Sequence, residues 1–178
     1  MATALAVDVN AKVSWSRKVL YDTGAEWSWV ENSSIVVANQ LADGTGDSQA
    51  DLVWAHYGTL ASTATYAMDL NALAQVVLSS NVSWVMLGIK AILVKNHNDA
   101  STQTGQDLIL TNIGVSNAQT DLFAGETAAR IVVPAGGFVV CTSIVSEWAS
   151  GATKVGLELT NTQTETVAYS IAILGTSA

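Results

Sequence analysis

Apolar residues recur at every second position in this chain, a period that an extended strand buries on one face and a helix cannot. In "TVAYSIAIL", Val167, Tyr169, Ile171 and Ile173 fall on one side of the backbone, and Thr166, Ala168, Ser170 and Ala172 on the other. The first side is core; the second is small and polar. "TATYAMDL" divides the same way, with Tyr66, Met68 and Leu70 against Thr65, Ala67 and Asp69, as does "VGLELTN", with Val155, Leu157 and Leu159 against Gly156, Glu158 and Thr160. Further strands are expected at "QDLILTN", "ARIVV" and "FVVCTS", and helical spacing is almost absent. Short alternating runs separated by turn-rich clusters predict an all-β fold, a sandwich or barrel of antiparallel strands.

"WVMLGIKAILVKN" is apolar on both sides and reads as a central strand covered on both faces. Val85, Leu87, Ile89, Ala91 and Leu93 are expected to form its core row, opposite Trp84, Met86, Ile92 and Val94. On that reading Leu87→Asp abolishes soluble folding, and a variant that melted like the parent would remove this row from the core. The pattern Leu-x-Leu-Thr-Asn occurs at Leu108 to Asn112 and again at Leu157 to Asn161, where two strands leave a sheet through Thr-Asn.

The one proline lies in "IVVPAGGFVV". Proline cannot donate to a ladder, so Pro134 is expected to end one strand and open a hairpin corner, with Gly136 and Gly137 supplying positive φ.

Ahead of these strands, "AKVSWSRKVLY" alternates Val13, Trp15, Val19 and Tyr21 with Lys12, Ser14, Ser16 and Lys18, predicting an N-terminal extended arm that turns at Asp22-Thr23-Gly24. The division expected is residues 1–35 as arm and 36–178 as sandwich. Lys12, Arg17 and Lys18 are three of only seven basic residues, against 15 acidic, in a chain of net charge -8. Such a balance repels phosphate backbones, so nucleic acid is not an expected partner. Trp27 and Trp29, two apart, share a strand face and form either a stacking platform for sugars or a hydrophobic seam against a neighbouring subunit. The seam is the reading adopted, with Lys12, Trp15, Arg17, Lys18, Trp27 and Trp29 as the expected partner-contact residues.

Only 12% of residues are charged, against about 25% in ordinary domains, while 49% are hydrophobic and six are Trp. This suits a surface partly covered by neighbouring subunits. "MATALAVDVN" lacks the basic start and long apolar run of a secretory signal, and the uncharged stretch from Asp69 to Lys90 is too often interrupted by polar residues to span a membrane.

Catalytic signals are weak. His56 and His97 stand in no metal-ligand spacing, Cys141 lies in the apolar run "FVVCTS" as a small buried hydrophobe, and neither a Gly-x-Ser-x-Gly elbow nor a phosphate loop occurs. "DGTGD", Asp43 to Asp47, departs from the EF-hand spacing and reads as a surface turn. No catalytic residue, metal or cofactor is expected. Paired carboxylates for glycoside hydrolysis need only spatial proximity, so a hydrolase acting on cell-surface polymers remains the enzyme class to test.

The segment from Asn39 to Leu70, with Gly44, Gly46, Ala50, Asp51 and Trp54, followed by "WVMLGIKAILVKN", "PAGGFVV", Trp148 and "YSIAILG", resembles a family of small virion structural proteins of tailed bacteriophages. The resemblance covers roughly residues 39–175; Ala135 stands inside the Pro-Gly-Gly corner common in that family. It implies an antiparallel β-sandwich of jelly-roll-like kind and a non-enzymatic virion component, docked on the major capsid protein or another virion protein as a decoration, cement or minor capsid protein. It also implies a homo-oligomer, with a trimer possible. The alternative is a virion fibre or adhesin domain that binds host glycans through exposed aromatics.

Overall fold

A computed structural model of the chain describes residues 7–20, 28–77, 80–98, 107–112, 121–123, 129–143, 147–150 and 156–177. Extended backbone dominates them. In chain order the strands are β1 (Val7–Leu20), β2 (Ser28–Leu41), β3 (Leu52–Leu60), β4 (Thr65–Asp69), β5 (Leu73–Val77), β6 (Ser80–Trp84), β7 (Gly88–Asn96), β8 (Leu108–Thr111), β9 (Arg130–Val133), β10 (Phe138–Thr142), β11 (Trp148–Ala149), β12 (Gly156–Asn161) and β13 (Val167–Thr176), with one 3-10 turn at Asp121–Phe123.

Two antiparallel sheets make the body. One has the order β10-β7-β13-β3, with β11 also paired to β7, and the other the order β4-β12-β8-β9. Their facing rows interlock: Trp54, Ile92, Val94, Tyr169, Ile171 and Ile173 from the first meet Met68, Leu108, Leu110, Val133, Leu157 and Leu159 from the second in one continuous cluster. This is a two-layer sandwich, its core supplied by alternate residues of every main strand. The phase read from the sequence holds in β13, where Val167, Tyr169, Ile171 and Ile173 are buried, and in β4 and β12, where Met68, Leu157 and Leu159 are. Val155 lies outside the described residues. Strands β5 and β6 form a separate ribbon tied to the sandwich by Trp54, whose indole Nε1 donates to the carbonyl of Ala74 at 3.1 Å.

The reading of "WVMLGIKAILVKN" is corrected in two ways. It is not one strand, because Trp84 ends β6 and β7 begins only at Gly88. Nor do Val85, Leu87 and Leu93 line the core: they are 44%, 39% and 37% exposed, whereas Met86, Ile92 and Val94 are fully buried. Val85 and Leu87 fall in the connection between β6 and β7 rather than in a strand, and for Leu93 the cause is a bulge. Leu174 pairs with Ala91 and Gly175 with Ile89, which leaves Lys90 as an extra residue opposite no partner. One extra residue inverts the alternation, so Ile89 before it and Ile92 after it both face the core. Ala91 turns the other way and is covered separately by Leu41, Ala50 and Leu174. The expected loss of folding therefore moves from Leu87 to Ile92.

Pro134 does end a strand, but the corner is not a hairpin. β9 belongs to the four-stranded sheet and β10 to the other, so residues 134–137 carry the chain from one layer to the other. Gly137 N donates to Pro134 O at 2.9 Å, which closes the turn, and Gly136 alone takes positive φ, 70°. Gly137 is required for a different reason: a Cβ there meets Pro134 Cγ at 2.9 Å. Buried Asn96 of β7 staples the corner, its backbone N bonded to Gly137 O at 2.9 Å and its Nδ2 to Val133 O at 3.3 Å.

The two Leu-x-Leu-Thr-Asn runs are neighbours in space. β8 and β12 pair antiparallel, and each asparagine is buried just where its strand leaves the sheet. Asn112 Oδ1 accepts from Ala129 N, while Asn161 Nδ2 reaches the carbonyls of Leu60, Ala61 and Glu165.

Candidate functional site

Two features of this structure lie apart from the sandwich core. The first is the ribbon β1–β2, whose strands among the described residues pair only with each other. Each is 14 residues long, and their register is unbroken from Val7↔Leu41 to Leu20↔Ser28. Residues directly opposite in an antiparallel pair share a face, so the register sorts the ribbon into two. Val7, Val9, Ala11, Val13, Trp15 and Val19 lie opposite Leu41, Asn39, Val37, Ile35, Ser33 and Trp29, with Arg17 opposite Glu31, which gives one largely apolar face. Asp8, Asn10, Lys12, Ser14, Ser16 and Lys18 lie opposite Gln40, Ala38, Val36, Ser34, Asn32 and Val30, which gives a polar one.

The expected contact residues are thereby divided. Trp15, Arg17 and Trp29 share the apolar face, and Lys12 and Lys18 the polar face. Trp27 and the turn at Asp22 to Gly24 lie outside the described residues.

The second feature, which the sequence did not single out, is the outer face of the five-stranded sheet. Register aligns Val140, Leu93, Ala172 and Ala55 in a single row across β10, β7, β13 and β3, every member apolar. The next row is Phe138, Lys95, Ser170 and Tyr57, in which Phe138 is 64% and Tyr57 67% exposed. On the third row Ala91 and Leu174 are sealed by Leu41 and Ala50, so the last residue of β2 sits on this same face. The signal was present in the small outward residues of β13, but without the pairing order nothing linked them to Leu93 or Val140.

The loop between Leu41 and Ala50 is a closed turn, as expected for "DGTGD". Ala50 N donates to Ala42 O, and Gln49 Oε1 accepts from Gly46 N at 2.9 Å. Gly44 has φ 135°, and a Cβ there meets Gln49 Oε1 at 2.5 Å. Next along the chain, Asp51 Oδ1 accepts from Ser177 N at 2.7 Å and fastens the end of β13. Gly44, Gly46, Asp51 and Trp54 thus each have a structural task.

The titratable groups are placed as follows. His56 lies between the layers at the β3 edge, stacked on Tyr66 at 4.8 Å and on Trp54 at 5.9 Å, with Tyr169 tilted against it at 5.8 Å. Burial lowers its pKa from 6.5, so the fold holds a neutral ring. The unfolded chain therefore binds a proton first as pH falls, and stability drops once pH passes below 6.5. The prediction is a melting temperature that declines from pH 7 to pH 5, with a smaller decline in His56→Phe; equal slopes for the two proteins count against it. Burial, and then the charge of Tyr66, pushes Tyr169 up to about 12, so stability also falls as pH rises above the usual 10.0. Burial raises the Cys141 thiol too, which keeps it protonated and unreactive.

His97 Nε2 and Ser170 Oγ are 2.6 Å apart on the exposed outer face, with Tyr57 edge-on to the imidazole. Among the described residues no carboxylate is bonded to His97, and the bond is exposed, so the arrangement is a surface hydrogen bond. No group of three His, Cys, Asp or Glu converges among the described residues.

Lys90, the bulge residue, is 2% exposed, and among the described residues Glu147 at 4.0 Å is its ion-pair partner. Glu147 Oε2 also accepts from Thr176 Oγ1 at 2.8 Å. Glu147→Gln leaves the buried ammonium without its countercharge and is expected to cost about 1–3 kcal/mol, discounted because the glutamate is half exposed. Urea unfolding measures this, and an unchanged midpoint means the pair contributes nothing.

Compared with protein-family models, with curated proteins and with solved structures, the chain finds no match.

Proposed function

We propose that this chain is a non-enzymatic structural component of a tailed-phage virion, docked on the capsid as a decoration, cement or minor capsid protein. The observation that carries the docking part is the ribbon β1–β2: an amphipathic two-stranded element that, among the described residues, no strand of the sandwich pairs with. Two strands alone are marginal in water, so such a ribbon is stable chiefly when something lies against it. The phage assignment draws on the order of sequence elements from Asn39 to the closing strand. The mechanism is adhesion by surface burial, with Lys12 and Lys18 on the polar face of the ribbon supplying charge complementarity to an acidic partner surface.

Removing residues 1–20 alone strips β1 and leaves β2 without its partner, so the informative truncation removes residues 1–38 and keeps Leu41 in place. That variant is expected to keep the sandwich melting transition but to stop co-sedimenting with particles of the phage that encodes it. Undiminished co-sedimentation counts against the ribbon as the docking element. A glycan array with the full chain separates the adhesin alternative, since specific sugar binding lost in Trp29→Ala is what that alternative requires.

A further inference from the structure

We propose that the outer face of the five-stranded sheet binds an uncharged glycan chain, with the ring of Tyr57 as the surface on which a sugar stacks and the His97–Ser170 pair beside it as the group that holds a hydroxyl.

The surface is assembled by the fold itself. Tyr57 of β3, Ser170 of β13 and Lys95 of β7 stand in one row by register, and His97, just past the end of β7, donates its backbone N to Ala168 O of β13 at 2.9 Å. His97 Nε2 and Ser170 Oγ share a hydrogen bond of 2.6 Å, and Tyr57 meets the imidazole edge-on with ring centroids 5.6 Å apart. Tyr57 and His97 come from opposite sides of β13, so their rings lean toward each other across it. The contact holds the tyrosine ring in place while the residue stays 67% exposed. One row further, Ala172 and Ala55 floor a shallow dip that ends where Leu41 and Ala50 cover Ala91 and Leu174. A second exposed ring, Phe138, stands at the other end of the Tyr57 row, three strand spacings or roughly 14 Å away, a span that suits a short chain of sugars rather than a single one.

The occupant follows from what this surface lacks and what it offers. In the two rows Lys95 is the only charged residue, in a chain of net charge -8, so a nucleic acid or another polyanion is repelled. An extended peptide joins a sheet by adding at its edge, whereas β7 and β13 already have strands on both sides. The centre of a protein interface is apolar and poor in charge, but here Lys95 and Ser170 separate the two exposed rings. A neutral sugar needs what is present: an aromatic ring for its C–H face, and around it side chains that donate and accept, supplied by Ser170, His97, Lys95 and the Tyr57 hydroxyl. Among the described residues nothing else is bonded to the imidazole, which leaves its Nδ1 for a sugar hydroxyl.

This inference goes beyond the virion reading and rests on neither the ribbon nor a particle, so the full chain alone is the sample. On an array carrying neutral and acidic oligosaccharides, the chain is expected to be retained by neutral glycans. Tyr57→Ala is expected to weaken that binding about tenfold, the loss of one stacking contact, and to melt with the parent because the side chain is exposed. Ser170→Ala and His97→Ala are expected to weaken it several-fold, while Trp29→Ala, on the ribbon, leaves it unchanged. An array blank for neutral glycans overturns the inference, as does retention by acidic glycans only, or binding that survives Tyr57→Ala. A blank array together with loss of particle co-sedimentation in Tyr57→Ala overturns it in favour of a protein-docking face. None of these outcomes decides the ribbon's role, which the truncation of residues 1–38 tests.

Discussion

Ile92→Asp is expected to abolish soluble folding, while Leu87→Asp, five residues earlier, is expected to leave a soluble protein that melts within a few degrees of the parent. Ile92 is fully buried between the layers, paired with Ile173 on one side and Cys141 on the other, whereas Leu87 is 39% exposed. A carboxylate at position 92 loses the isoleucine packing, worth about 2–5 kcal/mol, and adds the desolvation of a charge with no partner, worth several more. The sum is comparable to the whole stability of an ordinary domain, about 5–15 kcal/mol. Soluble expression and circular-dichroism melting of both variants check this. A folded Ile92→Asp protein contradicts the register of β7.

Asn161→Ala is expected to cost about 2–4 kcal/mol, or roughly 5–15 °C in melting temperature. Asn161 is fully buried at the end of β12. Its Nδ2 donates to Leu60 O at 3.1 Å, Ala61 O at 2.9 Å and Glu165 O at 2.7 Å, and its Oδ1 accepts from Gln163 N at 2.9 Å. One side chain thus ties together the end of β3, the turn after it and the turn between β12 and β13. Asn161→Asp keeps the acceptor and size but sets a carboxylate against three carbonyls, so it is expected to be at least as damaging. Thr162→Ala, at the exposed neighbour, serves as the control and is expected to change stability by less than about 0.5 kcal/mol. If Asn161→Ala melts like Thr162→Ala, the clamp is not what holds these turns.

Period-2 alternation made the all-β class and the phase of β4, β12 and β13 legible, because in each of those strands one side is apolar and the other is not. It could not fix the phase of β7, where both sides are apolar and the bulge at Lys90 inverts the pattern midway. A bulge is a pairing event between β7 and β13, so neither strand announces it alone. The corner at Pro134 shows the same limit: proline and glycine mark a change of direction, but whether the chain returns beside itself or crosses to the other layer depends on which neighbours β9 and β10 find.

The candidate site was half legible for a related reason. Alternation along β1 already separated Lys12 and Lys18 from Trp15, but only the β1–β2 register puts Trp29 at a position matching Trp15 and Arg17 rather than Lys12 and Lys18. The sheet face with Leu93, Ala172, Ala55 and Val140 draws one residue from each of four strands, and each residue alone is ordinary.

The central proposal is that this chain serves a virion by covering a neighbour's surface. Electron cryomicroscopy of intact particles tests it most directly. The account predicts sandwich-shaped density on the outside of the shell, repeated on its lattice. Shells bare of that density contradict it.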